Sequence, residues 1–207
     1  MTPDDADKPF RPEEVLTRQV VNRVSERVAQ LRARIESLQR DLRDHLEARA
    51  TLRIVLEGDG GGEWYVNVEG GAATLANAAA APPLLTVYQK LDDFRLAAAA
   101  GAVGGLGFGG PAGQGALTRS RIERLQAIRG TLEIKVTDLP DGKELPVTIH
   151  FGSGERDAQP QTVIALKAED AERLRKGELN PQMAFLQGRI RMTGDAALAM
   201  QIGMAMM

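Results

Sequence analysis

The hydrophobic period of this chain changes near residue 50, and no single repeating architecture accommodates both patterns. Before that point apolar residues recur at alternating steps of three and four, as they do along the seam of a coiled coil. After it apolar and polar residues alternate with a period of two, which is typical of strands with one buried face. The sequence therefore predicts a long helix followed by a region built around a sheet.

The first pattern predicts a heptad helix over residues 13–50, preceded by an acidic, aperiodic lead-in at 1–12 that is expected to be disordered. Seven apolar residues form the seam of this helix. Positions a and d are occupied by Val21, Val28, Ile35 and Leu42, and by Val24, Leu31 and Leu38, respectively. The next d position is His45, where the strict seam ends.

The sequence leaves three arrangements for what packs against this seam. β-branched residues at a with Leu at d favour a parallel pair, but a parallel pair brings Arg27 against Arg32 of a second copy. In an antiparallel pair Arg27 would instead face Asp41. Packing of the seam against its own chain is a third arrangement. Residues 13–50 are therefore a candidate homo-oligomerisation segment of undecided orientation.

The second pattern occurs twice. Its first occurrence, residues 51–101, predicts a hairpin, two further short strands and a helix, at 51–56, 64–69, 72–75, 84–88 and 91–100. Its second occurrence predicts strands at 131–136, 145–151 and 161–166, then another helix. Corresponding features lie at nearly constant offsets of 76–81 residues. We interpret residues 51–101 as a degenerate half-repeat of the domain at 116–207.

Composition excludes several classes of chemistry. There is no Cys and there are only two His, so thiolate, metal and His-based catalysis lack material. The net charge of −2 argues against a dedicated nucleic-acid binder, which needs a basic excess. Gly105, Gly107 and Gly110 match G-x-G-x-x-G but follow a predicted helix, which makes residues 102–115 a flexible linker. We expect no enzyme activity, no cofactor and no nucleic-acid partner. The absence of a signal-peptide pattern and of a long apolar run predicts a cytoplasmic protein.

The carboxy-terminal third is unusually rich in methionine. Six of the seven Met lie at or after Met183, and residues 195–207 are apolar on nearly every side. A helix of that composition must be buried, cover a cavity or contact lipid. Methionine is flexible and polarizable, which suits surfaces that accommodate variable apolar partners.

Residues 117–207 resemble the sterol carrier protein 2 (SCP2) lipid-binding domain family. The most specific match is the stretch Gly-Glu-Leu-Asn-Pro-Gln-Met-Ala-Phe-Leu-Gln-Gly at 177–188, followed by Gly-Asp at 194–195. The resemblance implies an α/β fold of the α+β type, in which a curved sheet of about five strands is covered by helices with an apolar tunnel between the layers.

The same resemblance implies a non-catalytic carrier of a hydrophobic lipid, such as a fatty acyl, sterol-like or isoprenoid chain. A membrane, contacted transiently, is a further candidate partner. The resemblance places seven apolar residues at the lipid: Met183, Phe185, Leu186, Ile190, Leu198, Met200 and Met204. The alternative is an assembly protein in which the heptad helix recruits partners, in lipid or isoprenoid-quinone metabolism, and the SCP2-like domain is a scaffold.

Overall fold

A computed structural model describes most of the chain, in three segments: residues 11–99, 117–139 and 142–206. The predicted lead-in lies outside these residues except for its last two, and the predicted linker at 102–115 lies wholly outside them. The chain divides into two compact units, one ending at Arg43 and the other beginning at Asp44.

The amino-terminal unit is helical from Pro12 onward, which confirms the predicted long helix. Helix α1 (Pro12–Leu16) continues through a π-helical segment (Thr17–Val21) into α2 (Asn22–Leu46). The amide of Asn22 donates to the carbonyl of Thr17, five residues back, as a π-turn requires. All seven seam side chains are exposed, by 43–60%. Within the described residues of this unit no second element covers them.

The second unit contains one continuous sheet. Its strands are β1 (Ala50–Glu57), β2 (Gly62–Glu69), β3 (Ala72–Ala76), β4 (Leu85–Lys90), β5 (Gly130–Thr137), β6 (Leu145–Phe151), β7 (Thr162–Lys167) and β8 (Ile190–Gly194). Among the described residues these eight strands lie in the order β3-β2-β1-β4-β6-β5-β7-β8. The helices of this unit are α3 (Leu91–Ala99), α4 (Arg119–Gln126), α5 (Ala168–Arg175), α6 (Pro181–Leu186) and α7 (Ala196–Met206).

The two halves of the sheet share one pairing scheme. Strand β1 pairs antiparallel with β2 and parallel with β4. Strand β5 pairs antiparallel with β6 and parallel with β7 in the same way. This likeness supports the predicted half-repeat, while the duplication itself and its boundaries stay predictions.

An antiparallel ladder between β4 and β6 joins the halves. Leu85 pairs with Phe151, and Val87 pairs with Ile149. Residues 116–207 contribute four of the described strands, β5 to β8, and β4 lies beside them as a fifth. The first half therefore supplies a strand to the sheet of the second.

One side of this sheet carries the hydrophobic core. Its buried members come from both halves and from two helices, and include Leu52, Leu85, Val87, Ile122, Leu125, Leu132, Ile149, Phe151 and Leu198. Helices α4 and α7 contribute Ile122, Leu125 and Leu198, so they cover this apolar side. The mixed α/β fold class, with a curved sheet and helices, is confirmed.

The ladder between β4 and β6 makes the carboxy-terminal half dependent on the first. A fragment of residues 115–207 would expose the edge of β6, including the backbone beside Phe151, which is now 3% exposed. We expect residues 44–207 to unfold in one cooperative urea transition and residues 115–207 to aggregate or to lose that transition.

Circular dichroism and sedimentation velocity on the two fragments check this dependence. A fragment of residues 115–207 that stays monomeric and unfolds at the same urea midpoint as residues 44–207 would contradict it.

Candidate functional site

The apolar side of β5, β7 and β8 forms a floor of partly buried side chains. Register aligns its side chains in two rows, because residues paired across a sheet point to the same face. The rows are Ile134, Ile164 and Met192, and Val136, Leu166 and Ile190. All six are intermediate in exposure, whereas Leu132, on the same face of β5, is buried. We call these six residues the apolar floor.

Helix α6 lies beside the floor and contacts β8. Its start is determined by the Asn-Pro pair: the side-chain oxygen of Asn180 accepts from the amides of Gln182 at 2.9 Å and Met183 at 3.2 Å. Pro181 occupies the first turn, where its missing N–H costs nothing. Ala184 is fully buried, which anchors one side of the helix.

Helix α7 begins at the Gly-Asp pair after β8. The side chain of Asp195 accepts from the amides of Ala197 at 2.8 Å and Leu198 at 3.2 Å, and the Thr162 hydroxyl donates to the Asp195 carbonyl at 2.7 Å. A Cβ on Gly194, whose φ is +93°, would lie 2.1 Å from the carbonyl oxygen of Gln161. Only glycine fits there, so the motif fixes the start of α7.

The seven residues predicted to bind lipid occupy three different environments. Leu198 is 4% exposed and belongs to the core, and Ile190 lies on the floor. The other five lie at the surface of α6 and α7, with exposed fractions from 48% to 77%: Met183, Phe185, Leu186, Met200 and Met204. Five of the predicted positions are therefore exposed and do not line a closed tunnel.

Sequence reasoning missed the rest of the floor. Ile134, Val136, Ile164, Leu166 and Met192 share the face of Ile190 through strand register. The signal was present as alternation along the strands, but the coverage of each row depends on where the helices pack. Alternation alone does not distinguish a covered row from an open one.

An ion pair with one buried partner, Asp170, ties α5 to the turn after α6. Nη1 of Arg189 lies 2.7 Å from Oδ1 of Asp170, which is 3% exposed. Along α5, hydrogen bonds from Arg175 and Lys176 lower the pKa of Glu172 to about 2. The Asp170–Arg189 pair holds the residue that directly precedes β8.

The opposite side of the sheet holds a buried polar cluster around Thr131, which is fully buried. Its hydroxyl donates to Oδ2 of Asp157 at 2.8 Å, accepts from the Asp157 amide at 3.2 Å, and lies 3.0 Å from Nδ1 of His150. A hydroxyl has one proton to donate and two lone pairs, so these contacts use its full capacity. The cluster therefore holds the loop after β6 against β5.

A polar cleft of about 270 Å³ opens on that same side. The guanidinium of Arg156 lies over the ring of Tyr88, 4.4 Å from its centroid, and its Nη2 lies 2.7 Å from Oε1 of Glu57. Charged walls of this kind are costly to desolvate and do not suit an alkyl chain. Within the part of the chain that the structure describes, no group of His, Cys, Asp or Glu could hold a metal ion, and no helix is long and apolar enough to span a membrane.

The fold and the site define a mixed α/β domain whose sheet has an apolar, incompletely covered face. Residues 115–207 match the SCP-2 sterol transfer family. This carboxy-terminal part of the chain is an SCP2-family domain, which confirms the resemblance found in the sequence.

Curated relatives match within the same part. Sterol carrier protein 2 of Oryctolagus cuniculus is 32% identical over 84 residues, which cover 38% of this chain and 15% of the relative. The protein of the same name from Homo sapiens gives the same identity and coverage, and that of Gallus gallus is 29% identical over 84 residues. The chain thus spans about 15% of the length of these relatives.

Solved structures of similar description also align. The solution structure of sterol carrier protein domain 2 of Helicoverpa armigera is 31% identical, with 38% of this chain and 67% of that chain covered and a TM-score of 0.31. Sterol carrier protein 2 from Yarrowia lipolytica in its apo form is 16% identical, covers 36% of this chain and 69% of that chain, and has a TM-score of 0.30.

The close approach at Gly194 generates a prediction about stability. Gly194→Ala forces a Cβ onto the Gln161 carbonyl at a positive φ, so the free energy of unfolding should fall by about 1–3 kcal/mol. Gly203→Ala is the control, since nothing lies within 4 Å of its Cβ and alanine favours the helix. Urea denaturation measures both, and equal losses in the two variants would contradict the role of Gly194.

Proposed function

We propose that the chain binds and carries a hydrophobic lipid, of the fatty acyl, sterol-like or isoprenoid class, at the apolar floor and the exposed residues of α6 and α7. The observation that carries the proposal is the floor itself: six partly buried apolar side chains in register, beside two helices that expose Met, Phe and Leu. Two further observations support the ligand class: the floor lies in an SCP2-family domain, and the chain is similar to proteins named sterol carrier protein 2.

The driving force is removal of apolar area from water on both partners. Each buried methylene contributes about 0.8 kcal/mol, so about ten methylenes contribute roughly 8 kcal/mol before ordering costs. Burial of apolar protein surface also favours binding, because a bound alkyl chain would cover the exposed side chains of Phe185 and Met200.

Methionine suits this role because its side chain adapts to ligands of different shape. Met183, Met200 and Met204 are all about half exposed or more, so none is committed to the core. Their thioether side chains can rearrange over an alkyl chain or a ring system at little cost. The ligand class is therefore defined by apolarity and size more than by hydrogen bonding.

Binding in this proposal involves no chemistry on the ligand. The hydroxyl of Thr131 is fully buried on the opposite side of the sheet from the floor, where it contacts Asp157 and His150. Uptake and release would occur by transient contact of the exposed α6 and α7 surface with a membrane. The protein would work in the cytoplasm between such contacts.

Charged substitutions at the site provide the test. Phe185→Asp and Met200→Glu replace exposed side chains, so the fold should persist while a charge blocks burial of an alkyl chain. We expect each variant to lower the affinity for a fluorescent fatty acid at least tenfold, as measured in a displacement assay. Leu75→Glu is the matched control, because Leu75 is 70% exposed on β3, at the far edge of the sheet.

Far-ultraviolet circular dichroism verifies that all three variants fold. Uptake that is unchanged in both site variants, or equally reduced in Leu75→Glu, would remove this surface from lipid binding.

The second candidate function is assembly, and the exposed seam of the amino-terminal helix favours it. Native mass spectrometry after mild extraction separates the two candidates. Co-purified lipid supports the carrier, whereas an oligomer that neither carries lipid nor takes up the fluorescent fatty acid supports a scaffold.

A further inference from the structure

The seam of the amino-terminal helix presents seven apolar side chains to solvent in a single line. Fully burying a Val, Leu or Ile side chain contributes about 1.5–3 kcal/mol, so this line is a strong driving force for association. We propose that residues 24–42 pair with the same residues of a second copy as an antiparallel two-stranded coiled coil.

The pattern of the seam selects a helix as its occupant. Its apolar residues keep a strict 3.5-residue period over three heptads, which fits one facing helix and is too narrow a stripe for insertion into a membrane surface. Residues 22–43 also contain no aromatic side chain of the kind that anchors an interfacial helix.

Charge distinguishes the two orientations of a pair. In a parallel pair, position g meets position e of the next heptad of the second copy. Arg27 of each copy therefore meets Arg32 of the other. No g–e pair of opposite charge offsets this repulsion. In an antiparallel pair, g meets g, and Arg27 faces Asp41 of the second copy at both ends.

The same antiparallel register gives an apolar interior. Val24 faces Leu42 of the second copy, Val28 faces Leu38, and Leu31 faces Ile35. Two-fold symmetry repeats each of these contacts, which gives six apolar layers.

The register has one electrostatic cost, since Arg32 and Arg34 each approach their own counterpart at the centre. The two Arg27–Asp41 pairs offset that cost, and the parallel pair has no such offset.

Because the sequence contains no cysteine, every protein disulfide in the test must form between introduced residues. Val24→Cys and Leu42→Cys are made separately in the full chain, one of them with an affinity tag. They are mixed under reducing conditions to allow subunit exchange, the reductant is removed, and the thiols are then oxidised by exchange with glutathione disulfide, which is reduced to glutathione. The antiparallel register predicts a disulfide only between unlike copies, because like cysteines would lie about 27 Å apart along the axis.

Ala33→Cys is the control, since position f faces outward in either orientation and should form no disulfide above background. Self-crosslinking of Val24→Cys alone would overturn the proposed orientation. A wild-type chain that is monomeric in sedimentation equilibrium would overturn the pairing altogether. The pairing is overturned equally if that monomeric chain binds anionic vesicles through the helix.

Arg27→Glu gives a second, independent readout. In the antiparallel pair the introduced carboxylate would face Asp41, so the dissociation constant of the dimer should rise about two- to tenfold. In a parallel pair the same carboxylate would face Arg32 and the dimer would tighten, which would overturn the proposal. Residue 27 is exposed on the helix, so the substitution should leave folding unchanged. The fold of the second unit, measured in the same sample, is the internal control.

Discussion

The antiparallel ladder between β4 and β6 is the interaction on which the second unit depends. Strand β4 is among the most buried strands of the sheet, with Leu85 fully buried and Thr86 1% exposed. Without it the family domain would have a bare edge at β6, and the core shared by both halves would be divided. The first half therefore acts as a structural part of the sheet of the family domain, even though its own sequence lacks the Asn-Pro-x-x-Ala-Phe segment.

The motif that identifies the family encodes position, not chemistry. Asn180 and Asp195 cap the two helices beside the apolar floor, and Gly194 permits the backbone contact with Gln161 that starts α7. These residues touch no ligand in the proposal, yet they determine where Phe185 and Met200 emerge. Local rules of capping and glycine geometry explain why so few specific residues suffice to build the site.

Much of the secondary structure could be predicted because its signals are local. Alternation placed a strand at 51–56, observed as Ala50–Glu57, and a helix at 91–100, observed as Leu91–Ala99. The placement of β4 beside β6 could not be predicted, since pairing between distant strands leaves no local periodicity. For the same reason Ile190 was identified without the other floor residues: coverage of Ile164 depends on helix packing, which alternation does not report.

The two exposed apolar surfaces differ in the geometry of what can cover them. The seam is a straight line of mostly β-branched and Leu side chains with restricted rotamers, so it requires a partner of regular spacing, which a helix provides. The surface of α6 and α7 is short, irregular and rich in Met, so it accommodates a partner without regular spacing, which a lipid provides. Because the two surfaces differ in both stiffness and spacing, a single ligand would not satisfy them, so the proposed carriage and the proposed self-association are separable by substitution.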